Sequence, residues 1–281
     1  MAIPAHASTG ERIWYYTYRV ICGLIFFFLI APIVVVIPLS FNAVPFFTFT
    51  PEMLSLDPAG YSTKWYEEFF TSLNWRGAVL NSFKLAFFST ILATTLGTIA
   101  ALGLSKAEMP AKTLIMGILI SPMVVPVIIA AAGMFFFYSD IGLASTSFGV
   151  ILAHAALGTP FVVITVTATL VGFDHSLTRA AATLGSSPTH TFFKIIVPLI
   201  LPGVISGALF AFVTSFDEVV VVRFVGSYQQ RTIPWAMFSG LREQISPTIL
   251  AVATLLVILS IIMLTTVELL RRRSDRIRGL A

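Results

Sequence analysis

Charge is what this 281-residue chain has least of: Asp, Glu, Lys and Arg together make up 11% of it. Soluble domains carry about a quarter, so the chain cannot dress a water-facing surface of ordinary size. Cysteine is nearly absent. Cys22 stands alone, which excludes a disulfide within the chain and any metal centre built on cysteines. Four histidines, His6, His154, His175 and His190, include no HExxH and no pair at metal-ligand spacing. No P-loop, no GxGxxG following a strand and no GxSxG nucleophile elbow is present. A membrane-embedded enzyme would need a clustered catalytic set, and none is visible. Ten-residue alternating segments are also missing, which argues against an outer-membrane barrel.

What is present is apolar. Hydrophobic residues make up 57% of the chain and mean hydropathy is +0.93. Six runs are long enough to cross a hydrocarbon core of about 30 Å: residues 20–41, 85–104, 113–137, 148–172, 199–216 and 248–267, none with an Asp, Glu, Lys or Arg. The expected fold class is therefore all-α, a polytopic membrane protein with six transmembrane helices. The first run is longer than a signal-peptide core and lacks a small-x-small cleavage site, so it reads as an uncleaved helix. An even number of spans puts both termini on one side. Placing them in the cytoplasm also places there Arg12, Arg19, Lys106, Lys112, Arg179, Lys194, Arg271, Arg272, Arg273, Arg276 and Arg278, eleven of the 17 basic residues, as the positive-inside rule requires. The domain plan is a tail over 1–19, a permease-like domain over 20–270 with a cytoplasmic loop at 173–198, and a basic tail over 271–281. The pI near 9.4 reflects this bias, and no nucleic-acid partner is expected.

Several residues inside the runs break the apolar pattern. Pro122, Pro126 and Pro160 each delete a backbone donor and bend a helix, and in lipid the freed carbonyls must find other partners. His154 lies within the fourth run; a buried intramembrane histidine is either functional or, more simply, bonded to a carbonyl of another helix. Asp217 and Glu218 follow the fifth run. At 1.5 Å per residue Asp217 lies about 22 Å along the axis from Pro202, in the outer third of the bilayer. Two readings stay open for this pair: ion pairing with Arg223 or Lys84, or a negative lining for a cationic solute, with Thr214 and Ser215 on the same pathway.

The loop at 173–198 is the one long polar interruption. Ser176 is a candidate N-cap, and Leu177, Ala180, Ala181 and Leu184 recur at i, i+3, i+4 and i+7 on one face of a short helix. Gly185 supplies a left-handed C′ residue. Ser187 and Pro188 start a second helix, with Phe192, Phe193, Ile195 and Ile196 on its apolar side, and Pro198 closes it. Arg179 lies about 160° around the first helix from Leu177. A narrow small-residue face suits insertion into a groove; a hairpin lying on lipid headgroups also accounts for the two phenylalanines.

At these residues the sequence resembles a known family. Ala180–Gly185 (AAATLG) followed by 195–203 (IIVPLILPG) looks like the cytoplasmic loop of ABC importer permeases, named for its Glu-Ala-Ala start. The family's Glu is Arg179 here, which puts any ionic contact made through that position in doubt. YSTKWYEEFF, the run from Trp75 to Ser105, SPMVVPVIIAAAGMFFF, the run from Leu152 to Asp174 and SFDEVVVVRFV extend the similarity to the spermidine/putrescine branch over nearly the whole chain. The resemblance implies a type I permease fold in the bacterial inner membrane. It implies that Leu177, Arg179, Ala180, Ala181, Leu184, Gly185, Pro188 and Pro198 belong to coupling helices that dock on an ATP-binding subunit. It further implies a second permease subunit (a heterodimer), two ATP-binding subunits that hold ATP and Mg, a periplasmic solute-binding protein, and no cofactor in this chain. The solute would be a polyamine met by Asp217, Glu218, Ser215 and Thr214, or another small compound such as an opine or amino-acid-like solute. An ion-coupled secondary transporter is the competing class; it would call for mid-span carboxylates and internal repeats.

Overall fold

A computed structural model describes residues 8–106, 108–174, 176–243 and 246–277, with the side chains of 242, 243, 263 and 266–277 left aside. His6, His175 and Arg278, named above, lie outside the described residues. Helices cover all six expected runs: α1 Thr9–Leu39, α4 Leu73–Leu104, α5 Lys112–Val124 with α6 Val127–Asp140, α7 Ser147–Val171, α10 Val197–Phe216 and α13 Thr248–Ile277. Between them lie shorter helices: α2 Pro51–Leu54, α3 Lys64–Thr71, α8 Ser176–Thr183, α9 Pro188–Thr191, α11 Val220–Val225 and α12 Ile233–Glu243. Among the described residues the only strand-like feature is one antiparallel bridge between Asn42 and Tyr61.

By length and composition four helices can each cross a membrane, and a fifth crossing is added if α5 and α6 count as one. The third run, expected over 113–137 as one span bent at Pro122 and Pro126, is two helices. The chain turns by 103° between α5 and α6. Val125 is extended there, at φ −69° and ψ 131°, because the ring of Pro126 disfavours the helical region for the residue before it. Pro122 and Pro160 stay inside their helices, so of the three prolines expected to bend a span only Pro126 breaks one. The described apolar part of α13, Thr248–Ile262, is shorter than a full crossing.

The chain divides into two compact units. One holds the described residues of Met1–Ser72 and Ser239–Ala281. Its α1 is apolar from Val20 onward, yet the most hydropathic window is 0% buried, so this part of the helix is left for lipid or another chain. After α1 the backbone is pinned by polar contacts. Ser40 Oγ lies 2.6 Å from Tyr66 Oη, the Asn42 amide donates to the carbonyls of Phe46 and Thr48, and the Trp65 indole donates to the Asn42 carbonyl. Thr248 Oγ1 donates to Glu68 Oε2 at 2.7 Å.

The second unit, Leu73–Phe238, holds the three-helix core. Positions 89, 93 and 97 of α4 meet 151, 158 and 162 of α7, so these helices run parallel; 203, 207 and 215 of α10 meet 169, 165 and 154 of α7, so α10 runs antiparallel. Glycine sets the spacing. A Cβ on Gly97 would stand 2.6 Å from Val162 Cβ, and one on Gly207 would stand 2.7 Å from Val162 Cα. Small residues allow this backbone approach, and close packing replaces the hydrophobic effect that lipid removes. Ala93, Ala101, Val162, Val166, Ile200 and Ala211 fill the contact. Thr159, Thr165 and Thr169 return their hydroxyls to carbonyls one turn back, which satisfies them without water. A second cluster joins α6, α7 and α11 through Ala131, Val150, Ala153, Leu157, Val221, Val222 and Val225. The two clusters place opposite ends of α10 in very different surroundings.

Candidate functional site

At its N-terminal end α10 is preceded by the helix–Gly–helix loop. α8 begins at Ser176, but the residue that starts it is Asp174: its carboxylate accepts from the Ser176 N–H at 2.8 Å and from the Ser176 hydroxyl at 2.7 Å. Ser176 is therefore the first helical residue rather than the cap. The spacing Asp-x-Ser carried that signal, since aspartate bonds the backbone two residues on. Gly185 adopts φ +80°. Its N–H donates to the Ala182 carbonyl and the Ser186 N–H to that of Ala181, the two bonds of a Schellman ending. Ser187 Oγ then accepts from the His190 N–H at 3.3 Å with Pro188 next in sequence, so the second helix starts as the sequence indicates.

Beyond α9 the chain widens into a π-turn over Phe192–Ile196, closed by a bond from the Val197 N–H to the Phe192 carbonyl. Pro198 accounts for it. It has no N–H to give Lys194, and its ring crowds that carbonyl, so the ladder shifts to i→i−5. The face expected on α8 is split. Ala181 is buried at 7%, whereas Leu177 is 43% and Leu184 87% exposed, and Ala180, Arg179, Gly185, Pro188 and Pro198 are exposed as well. α8 rests on α9 and the π-turn through a small part of its surface, which leaves Leu184 and part of Leu177 uncovered.

The opposite end of α10 is enclosed. Ser215 is 3% and His154 1% exposed, and His154 Nδ1 lies 2.7 Å from Ser215 Oγ. This is the interhelical hydrogen bond expected of His154, made to a hydroxyl on α10 in place of a carbonyl; no periodic signal connects residues so far apart in sequence. His154 Nε2 has no hydrogen-bond partner among the described residues. α10 ends at Phe216. Asp217 caps it, with its N–H on the Val213 carbonyl and its side chain exposed. Glu218 is half-buried, and its Oε1 accepts from the Val221 N–H at 2.9 Å, so one carboxylate oxygen caps the first turn of α11, where negative charge is favoured. Among the described residues neither acid forms an ion pair with Lys84. The Arg223 guanidinium lies 6.0 Å from the centre of the Phe238 ring. Thr214 is half-buried. The four residues named from the sequence thus fall into two pairs: Asp217 and Thr214 reach solvent, while Ser215 and, in part, Glu218 are occupied inside the protein. Among the described residues no group of His, Cys, Asp and Glu could hold a metal ion.

These features were compared with known proteins. The sequence profile of a family described as binding-protein-dependent transport system inner membrane component matches residues 14–276. The spermidine/putrescine transport system permease protein PotC of Haemophilus influenzae is 31% identical over 252 residues, covering 90% of this chain and 95% of that protein. The putrescine transport system permease protein PotI of Escherichia coli K12 is 32% identical over 248 residues, 84% of each. Among solved structures, a bacterial ABC transporter involved in the import of the acidic polysaccharide alginate superposes with TM-score 0.73 over 94% of this chain and 99% of that one, at 15% identity. That likeness shows a shared fold.

Proposed function

The chain belongs to the family of binding-protein-dependent transport system inner membrane components, and from that membership we propose that it forms half of the translocation pathway of an ATP-driven importer of polyamines. The family is one of membrane permeases of ABC importers and is not itself enzymatic. A binding protein delivers solute to the outer face, on the loops around Trp65–Trp75 and Gly226–Ser246. A second, different permease subunit completes the path, with six spans in this chain and both termini in the cytoplasm. Two ATP-binding subunits hold ATP and Mg and dock on the 173–198 loop. An ion-coupled secondary transporter is the reading that family membership disfavours.

The observation that carries the proposal is the exposed helix–Gly–helix loop inside a family match that spans the chain. Leu177 and Leu184 offer apolar contact, and the Gly185 ending fixes the angle between two short helices, so a groove that closes around α8 can push on α9 and through the π-turn on α10. Arg179, exposed where the family carries Glu, turns the charge presented there from negative to positive.

For the solute, the reading rests on the relatives whose names specify polyamines and on two adjacent carboxylates after α10, that of Asp217 exposed. The exposed carboxylate of Asp217 and the free oxygen of Glu218 would meet an ammonium group, which is favourable where water is scarce. The fold neighbour imports an acidic polysaccharide, so the choice of a cation rests on local residues and not on the fold.

Co-purification from membranes tests the assembly. Retention of an ATP-binding subunit and vanadate-sensitive uptake are expected; loss of both overturns the importer reading. Spermidine and putrescine binding by the partner binding protein tests the solute, and absence of binding would redirect it to another small compound.

A further inference from the structure

We propose that His154 is a positioning residue for the acidic pair: through Ser215 it fixes the last turn of α10, and hence the direction in which Asp217 and Glu218 face the solute. The inference rests on the reading above that these acids meet a cation. α7 holds both sides of the break between α10 and α11. On one side His154 Nδ1 grips Ser215 Oγ at 2.7 Å, two residues before Asp217. On the other, Val150, Ala153 and Leu157 of the same helix pack with Val221, Val222 and Val225 of α11, and the Val221 N–H is the group that holds Glu218. Asp217 and Glu218 therefore sit on a short elbow whose two arms are both referenced to residues 150–157.

Packing alone does not explain a histidine at this place. The ring is fully enclosed and its Nε2 finds no partner among the described residues, whereas a leucine of similar bulk would bring no unmatched polar atom of its own into an apolar core. What the imidazole offers over leucine is the single bond at Nδ1. The bond forms whichever of the two atoms carries the proton. Because Nε2 is idle, an asparagine, whose amide reaches the position of Nδ1, should serve; a glutamine, whose amide reaches toward Nε2, should not.

The test uses the complete transporter with its binding protein in vesicles and radiolabelled spermidine as the probe. His154→Ala and Ser215→Ala should each slow uptake about fivefold, the equivalent of one neutral hydrogen bond, and together no more than either alone. In an Asp217→Asn/Glu218→Gln background His154→Ala should add nothing further, because there is no longer a charge to place. His154→Asn should return uptake to within about twofold of the native rate, and His154→Gln should behave like the alanine variant. Losses that multiply in the acid-free background, or an asparagine no better than alanine, overturn the positioning role. If the acid-free variant alone transports spermidine at full rate, the lining role of the acids fails first and this inference falls with it. Should His154→Ala be lost from the membrane, Ser215→Ala, which removes one hydroxyl, carries the same comparison.

Discussion

The two ends of α10 are one helix in two environments. At the N-terminal end the loop leading into it exposes Leu177 at 43% and Leu184 at 87%, turns on an open glycine, and joins α10 through a widened π-turn. At the C-terminal end Ser215 is buried on His154 and the following helix is anchored by three valines at 0% exposure. Between them Gly203 and Gly207 press α10 onto α7 with no room for a side chain. The difference separates two tasks. On the proposed function, the end that docks on a soluble partner has to leave its contact surface uncovered, while the end that aims charges has to be held by its own fold.

The contrast can be broken most severely in the middle. Gly207→Leu would drive a side chain into Val162 and Thr165, and overpacking of this kind costs about 3 kcal/mol; loss of folded protein from detergent-solubilised membranes is the expected outcome. Next comes the open end. Gly185→Pro cannot reach φ +80° and deletes the bond to the Ala182 carbonyl, so uptake should vanish while membrane fractionation finds normal amounts of protein. Ala181→Phe should act likewise, since Ala181 is the residue of α8 turned onto its own chain. Unimpaired uptake in both would remove the coupling role.

At the enclosed end, Asp217→Asn with Glu218→Gln should slow uptake of a cationic solute about tenfold, equivalent to about 1.4 kcal/mol, with assembly unchanged by co-purification. An unchanged rate would leave Glu218 as a helix cap and nothing more. The smallest effect should come from Ser187→Ala. It removes one cap worth about 1 kcal/mol, and should weaken retention of the ATP-binding subunit about fivefold.

Much of the loop was legible in the sequence because its determinants are local. Gly185, Ser187 and Pro188 each act on backbone groups within a few residues, and the structure shows the ending, the cap and the start that their order implies. The sequence offers both Asp174 and Ser176 as the cap of α8, and the aspartate, two residues before Ser176, takes the role. The bend of the third run is legible in Pro122 and Pro126, but not its size or which proline breaks the helix, because hydropathy registers composition and is blind to direction. Val125–Pro126 changes direction without changing composition. The C-terminal end of α10 was the least legible. Glu218 was assigned to solute or to an ion pair, and its bond to the Val221 N–H exists only because α11 starts where it does.

By itself the sequence determined the class of molecule, the apolar runs, the helix–Gly–helix loop and the family, because scarcity of charge, helix-ending residues and recognisable segments are all written along the chain. Tertiary structure alone decided that α4, α7 and α10 close on glycine contacts and that His154 finds Ser215. Those outcomes depend on which helix faces come within a few ångströms of each other, and no local pattern in a uniformly apolar helix encodes its facing partner.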